Sequence, residues 1–383
     1  MTIGIDKIDF FIPPFYVDIA QLAQARNVDP DKYKIGIGQD EMAIAKVNHD
    51  IITFAANAAN ALLSPEDKQV IDTVIVGTES SVDESKAAAV VVHGLLGIQP
   101  FARSFDMKEA CYGATAGLMM AQNYVRQNPD KKVLVIASDI AKYGLSSAGE
   151  VTQGAGAVAM LVSSNPRLLA LSNDSLALTQ DIYDFWRPTA EKYPRVDGQL
   201  SNQTYINAFS KVWDEYSLRN NKGFADFAAL CFHTPYTKMG KKTLLPKLEE
   251  HAPDEIDRLM VRYEEAISYS RRVGNLYTGS LYLSLISLLE NAETPLKAGD
   301  TIGLFSYGSG TVAEFFSGVL VDGYEKQLNK EAHKALFDSR KRLSIEEYEE
   351  MFEEELVDGK IYQDDLNFSL LKVEGQVREY QVK

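Results

Sequence analysis

Apolar and polar positions alternate along the N-terminal stretch MTIGIDKIDFFIPP, with Ile3 and Ile5, then Ile8 and Phe10, as its apolar members. This reads as a first strand. Further short β-rich apolar runs follow at Val74-Ile75-Val76, Val133–Ile136 and Ala157–Val162, and then at Ala228–Phe232 and Ile302–Phe305. Runs this short, each ended by Gly, Ser or Thr, predict buried strands rather than helices. Between them lie stretches of helical spacing. After Cys111, Ala114, Leu118, Ala121 and Val125 recur at helical intervals until Asn128-Pro129 stops the pattern. AAAVVVHGLLG predicts a packed helix carrying His93. Ser344–Leu356 predicts a solvated amphipathic helix with Ile345, Tyr348, Phe352 and Leu356 on one side, opened by the capping-box spacing of Ser344 and Glu347. Alternation of strands and helices predicts an α/β architecture with covered sheets.

The chain echoes itself. GAGAVAMLVSS at Gly154–Ser164 resembles GSGTVAEFFSG at Gly308–Gly318, and each follows a comparable strand, VLVIASD before the first and TIGLFS before the second. The echo predicts two similar halves, 1–168 and 169–383, divided within residues 164–175. With no linker rich in Pro, Gly or Ser between them, the halves should pack together.

Composition narrows the function. With 54 acidic and 39 basic residues, a formal charge of -15 argues against general nucleic-acid binding. An anionic ligand would need a local basic cluster. The N-terminus lacks a basic stretch followed by an apolar block, so no secretory signal is expected. No apolar run approaches the roughly 18–20 residues of a membrane span. Two cysteines, Cys111 and Cys231, make no disulfide framework, so a cytoplasmic protein with reduced thiols is expected.

Cys111 sits where a helix begins, in KEACYGATAG, and the helix terminus favours a thiolate there. The small residues around it, Ala110 among them, leave room for an acyl group. A buried, inert thiol is the alternative. Cys231, inside a strand, reads as core. Of five histidines, His49, His251 and His333 lie in polar stretches and read as surface residues. His233 instead ends an apolar strand before Thr234-Pro235, at the carboxyl end where α/β sheets carry their sites. Lys238, Lys241 and Lys242 follow it, a basic cluster suited to phosphates or simply to solvent; on a helix Lys238 and Lys242 share a face. Glu79 closes the strand VIVGTES; Asp139 follows VLVIAS, where capping the next helix is the plainer reading; Asp184 sits among Tyr183, Phe185 and Trp186. A carboxylate leaving a hydrophobic strand suits general acid–base work.

Together these segments resemble the 3-hydroxy-3-methylglutaryl-CoA synthases of the thiolase-like superfamily, over most of the chain. EACYGATAG resembles the nucleophile segment, GTES the segment of the acid/base and FHTPYTKMGKK the histidine segment. SDIAKYG, TQGAGAVAML, YDFWRP, YPRVDGQLS, GNLYTGS and FSYGSG resemble further family segments in the same order. The resemblance implies a layered αβαβα fold, a homodimer, and condensation of acetyl-CoA with acetoacetyl-CoA and water to HMG-CoA without a metal or redox cofactor. It implies Cys111, Glu79 and His233 as catalytic groups. It assigns Asn275, Tyr143, Thr152, Asp184, Ser201, Ser306, Ser309, Lys238 and Lys242 to the substrates. One departure is Ser147, where animal members carry Asn. Thiolases place a second catalytic Cys in the late Gly-rich turn, which here reads Ser306-Tyr307-Gly308-Ser309-Gly310; ketoacyl synthases lack the glutamate. Gly154-Ala155-Gly156 precedes a strand and lacks a third glycine, so it is no dinucleotide fingerprint. A non-catalytic acyl-CoA-binding scaffold is the rival outside the enzymes.

Overall fold

A computed structural model describes Met1–Lys383. The first half runs β1 (Ile3–Phe11), α1 (Ile51–Leu62), β2 (Ile71–Gly77), α2 (Ala88–Leu96), β3 (Arg103–Met107), α3 (Gly113–Gln127), β4 (Lys132–Ala141) and β5 (Gly154–Ser164). The second runs β6 (Leu169–Leu171), β7 (Leu176–Thr179), α4 (Gly198–Asn220), β8 (Ala229–Phe232), α5 (Met239–Leu248), α6 (Pro253–Ile267), α7 (Ser280–Asn291), β9 (Thr301–Gly308), β10 (Val312–Leu320), α8 (Lys330–Asp338) and α9 (Ile345–Glu353). No helix is long and apolar enough to cross a membrane.

The strands join in the order β8-β9-β10-β6-β1-β5-β4-β2-β3, with β7 on β10. In each half the first strand neighbours the last, which is antiparallel to the strand before it. The echoed segments are these last strands, β5 and β10. The halves meet where β1 pairs with β6, Gly4 opposite Ala170. A Cβ on Gly4 would stand 2.0 Å from the Leu169 carbonyl oxygen, so only glycine admits this approach.

Helices α3 and α7 share one apolar core with strands of both halves. Outside the first-half strands α1 and α2 form a second core, and α4, α5 and α6 form a third outside the second-half strands. These are the five layers of an αβαβα fold. Strands covered on both faces explain the continuous apolar runs. In β1 the pairing with β5 shifts between Ile5 and Lys7, a bulge at Asp6. The extra residue lets Ile3 and Ile5 on one side of it, and Ile8 and Phe10 on the other, enter the same core. Burial opposes ionisation of Asp6, yet bonds from Arg167 and Lys132 hold its carboxyl below the ordinary range.

Two sequence expectations fail. His49 and His333 are buried, not on the surface. His49 lies against Asp364 at 2.8 Å. His333 stacks on Phe10, with Nε2 2.9 Å from Asp9 and Nδ1 2.8 Å from Glu290. Polar neighbours hid both because their partners are distant in sequence. Likewise α9, although capped by Ser344 and Glu347, ends at Glu353 and is more than a solvated face. Its Tyr348 hydroxyl donates to Glu150 at 3.1 Å and accepts from Gln153 at 3.0 Å. It thereby braces the loop between β4 and β5, which carries Tyr143 and Thr152.

Burial opposes a charge on His333, but the bonds to Asp9 and Glu290 push its pKa from 6.5 up to about 9. A raised folded pKa stabilises fully below the unfolded value, and the gain is lost as pH rises through the folded one. His333→Gln should therefore lower the melting temperature most below about pH 6.5, with the gap narrowing toward pH 9. A gap that stays constant with pH would leave His333 a packing residue.

Candidate active site

Four chain segments converge at carboxyl ends of strands. Thr78-Glu79 leaves β2, His233 follows β8, and the Ser309–Thr311 turn leaves β9. Cys111 comes between β3 and α3, two residues before the first helical residue, Gly113. The first turn of α3 is buttressed by Thr115, whose hydroxyl lies 2.7 Å from both Ser306 Oγ and Tyr282 OH. Ala110 has φ +41°, left-handed backbone that costs a non-glycine residue about 1–2 kcal/mol. From the second half, Gly308 packs onto this turn so closely that a Cβ would be 2.5 Å from the Glu109 carbonyl oxygen.

The Cys111 thiol donates to Glu79 Oε1 at 3.0 Å. Burial, and then the charge of Asp139, push Glu79 from 4.5 up to about 8. Burial and Glu79 also push the thiol well above its ordinary value. The helix terminus therefore does not leave a resting thiolate, contrary to the sequence expectation; a base must take the proton. Asp139 does not cap a helix. It lies within β4 opposite Gly156, fully buried, and accepts from Thr78 Oγ1 (2.9 Å), the Glu79 amide (2.9 Å), Thr278 Oγ1 (2.6 Å) and the Thr278 amide (3.2 Å).

Cys111 opens on a cavity of about 270 Å³ whose wall includes Tyr143, Thr152, Ser201, His233, Asn275 and Ser309. Burial lowers His233 from 6.5 to about 3, so its imidazole is neutral, and its Nδ1 has no partner within the protein. The hydroxyl of Tyr205 donates to the His233 carbonyl at 2.6 Å and fixes the strand end. Asn275 Nδ2 donates to Tyr143 OH at 3.3 Å, while its Oδ1 accepts from the Tyr277 amide at 2.8 Å and Ser280 Oγ at 3.0 Å. Tyr143, Phe185 and Tyr277 form an edge-to-face ring beside the thiol, centroids 6.1–6.2 Å apart.

The other sequence-predicted residues stand off this wall. Asp184 is buried behind it, accepting from Tyr307 OH and the Gly310 amide, each at 3.0 Å, and so shapes the Ser309 turn. Ser306 is engaged by Thr115 in the interior. Lys238 sits at the N-cap of α5, and Lys242 Nζ donates to Tyr236 OH at 3.1 Å, at the cavity's edge. Ser147 Oγ is buried without a partner and is not on the wall. Cys231 is core, its thiol pushed up to about 12 by burial. Sequence reasoning missed Phe185, Tyr205, Tyr277 and Tyr307 as wall residues; the first and last adjoin residues it chose, Asp184 and Ser306.

Two outcomes follow from Glu79 and Ala110. Between 4.5 and about 8 the unfolded chain binds fewer protons than the fold, so burying Glu79 makes stability fall as pH rises across that window. Glu79→Gln should remove this slope, its melting temperature exceeding the parent's by several degrees near pH 8; parallel curves would contradict the shift. Ala110→Gly relieves the left-handed strain at the residue before the thiol. It should raise turnover severalfold in steady-state assays, and unchanged kinetics would count against strain at this turn.

The family signature of the hydroxymethylglutaryl-coenzyme A synthase N terminal covers residues 1–167, and that of its C terminal covers 175–249 and 254–365. The hydroxymethylglutaryl-CoA synthase of Enterococcus faecalis is 65% identical over 383 residues, spanning 99% of this chain and 100% of that one. A solved HMG-CoA synthase complexed with CoA superposes with a TM-score of 0.97 at 47% identity, covering 100% of both chains. MvaS in complex with 3-hydroxy-3-methylglutaryl coenzyme A gives 0.90 at 35%, covering 100% of this chain and 99% of that one. The chain belongs to the hydroxymethylglutaryl-CoA synthase family.

Proposed function

We propose that this chain performs the synthase reaction of its family through an acetyl group carried on Cys111: acetyl-CoA, acetoacetyl-CoA and water give HMG-CoA and CoA, a step of the mevalonate route to isoprenoids. The observation that carries the reading is the 3.0 Å contact between the Cys111 thiol and a carboxyl whose pKa is raised to about 8. A base poised near neutrality suits removal of a proton from an acetyl methyl.

In this reading the neutral imidazole of His233, on the same wall, takes the thiol proton as Cys111 attacks acetyl-CoA and passes it to the sulfur of the departing CoA. The amino terminus of α3 favours the oxyanion. Glu79 then removes a methyl proton, and the resulting carbon attacks the ketone of acetoacetyl-CoA. His233 and Asn275 polarise that ketone, and Glu79 returns its proton to the new alkoxide. Water cleaves the Cys111 thioester and frees HMG-CoA. Tyr143, Thr152, Ser201 and Ser309 bound the acyl groups, while Lys238 and Lys242 stand near the mouth for CoA phosphates. Asp184 and Ser306 act from behind, through the turn and the helix they hold. None of these steps calls on a metal or redox cofactor.

The same reading includes halves at 1–168 and 169–383, supported by the repeated strand order, and a cytoplasmic homodimer. The exposed edge strand β3, with Phe101 protruding beside it, is a surface suited to pairing with a second copy.

Intact-protein mass after addition of acetyl-CoA should show one acetyl adduct, absent in Cys111→Ala, that disappears as HMG-CoA forms once acetoacetyl-CoA is added. Glu79→Ala should still acetylate but lose condensation by roughly 100-fold or more, the usual contribution of a general base. An adduct that passes only to free CoA would favour thiolase chemistry, and no adduct would leave a binding scaffold.

A further inference from the structure

Glu79 does not line the cavity onto which Cys111 opens. It lines a separate cleft of about 710 Å³ on its other side. Phe185 and Ser309 border both spaces, and the Glu79–Cys111 hydrogen bond runs from one to the other. The two differ in character. The cavity is walled by aromatic rings, whereas Thr78, Ser81, Gln180, Asp181 and Arg187 give the cleft polar walls that can hold water. Arg187 donates to the Glu79 carbonyl oxygen and ties the cleft's far wall to the base.

This division bears on the final step of the proposed reaction, on which the inference rests. After carbon–carbon bond formation the product is joined to Cys111 at one end and to CoA at the other, so the CoA arm fills the cavity's mouth. Hydrolysis still requires a water molecule at the thioester. We propose that the cleft behind Glu79 is the entry for this water and the exit for protons.

The water oxygen attacks the acyl carbon while its proton passes to the Glu79 carboxylate. The carbon–sulfur bond breaks with its electron pair going to Sγ, and Glu79 returns that proton to the thiolate across the 3.0 Å contact. The remaining acid proton leaves through the cleft as the product carboxylate forms. Acetylation and condensation consume no water and are indifferent to the cleft.

Thr179 and Thr189 are exposed residues of the cleft wall that belong to no part of the proposed catalytic machinery. Filling the cleft with the double variant Thr179→Trp, Thr189→Trp should slow hydrolysis roughly tenfold, equivalent to about 1.4 kcal/mol of barrier. Quenched single turnovers read by intact mass should show the condensed HMG-CoA adduct accumulating on Cys111, with acetylation at the parent rate. Thr189→Trp alone should give a smaller effect in the same direction, and melting curves identify the variants that are folded. Unchanged hydrolysis in a folded variant, or a parallel fall in acetylation, would overturn the inference. Failure of the parent to acetylate would instead overturn the reaction on which it rests.

Discussion

The site depends on one buried carboxylate. Asp139 belongs to the first half, yet it accepts from both the backbone and the side chain of Thr278 in the second and from the Glu79 amide and the Thr78 hydroxyl on the neighbouring strand end. Thr278 lies three residues after Asn275, so a single group sets the position of Glu79 relative to the segment that carries Asn275. These charge-assisted bonds favour the ionised form, although burial raises the pKa of Asp139. Removing the group would leave two amides and two hydroxyls to find partners in a dry interior, where unsatisfied polar atoms are costly.

The same charge tunes the chemistry. Glu79 and Cys111 are both pushed toward their neutral forms, first by burial and then by neighbouring carboxylates. An exposed Glu79 would be ionised at neutral pH but too weak a base for a carbon acid. In its half-buried position beside Asp139 it binds a proton more tightly, which suits the proposed removal of a proton from carbon. The cost is borne in stability rather than in rate, because a carboxyl kept from ionising weakens the fold at alkaline pH. A chain of net charge -15 thus keeps an uncharged thiol and a neutral imidazole in contact with anionic substrates by burying them.

Most of the frame was legible in the sequence. The apolar runs marked β1, β2, β4, β5, β8 and β9 but not β3, β6 or β7, and the echo between Gly154–Ser164 and Gly308–Gly318 fell on β5 and β10, each antiparallel to the strand before it. Cys111, Glu79 and His233 were visible individually because each sits at an element's end. Their convergence was not visible, since it is set by strand order rather than by separation along the chain. Asp139 was misread for a related reason: β4 runs on to Ala141, a continuation fixed by its pairing with Gly156 and invisible in local pattern. His49 and His333 were misread because the carboxylates that allow their burial, Asp364 for the first and Asp9 and Glu290 for the second, lie far outside the local pattern. Phe185 and Tyr277 carry no polar signal, so their service as walls appears only once both halves are assembled.

Assembly also explains why the nucleophile turn is built as it is. The α3 terminus must reach the midline between the halves while the β9–β10 turn approaches from the opposite side. Gly308 removes the side chain that would collide with Glu109 and Tyr112, and Ala110 takes a left-handed conformation that turns Cys111 toward Glu79. Tyr112 then anchors the turn by donating to Glu314 on β10 at 2.6 Å, a bond between the halves. Cys111 is therefore held by contacts from both halves rather than by its own helix alone. Loosening the β10 side would move the thiol relative to Glu79, whose amide is held by Asp139, so the 3.0 Å thiol–carboxyl separation depends on the Tyr112–Glu314 bond as well as on Asp139.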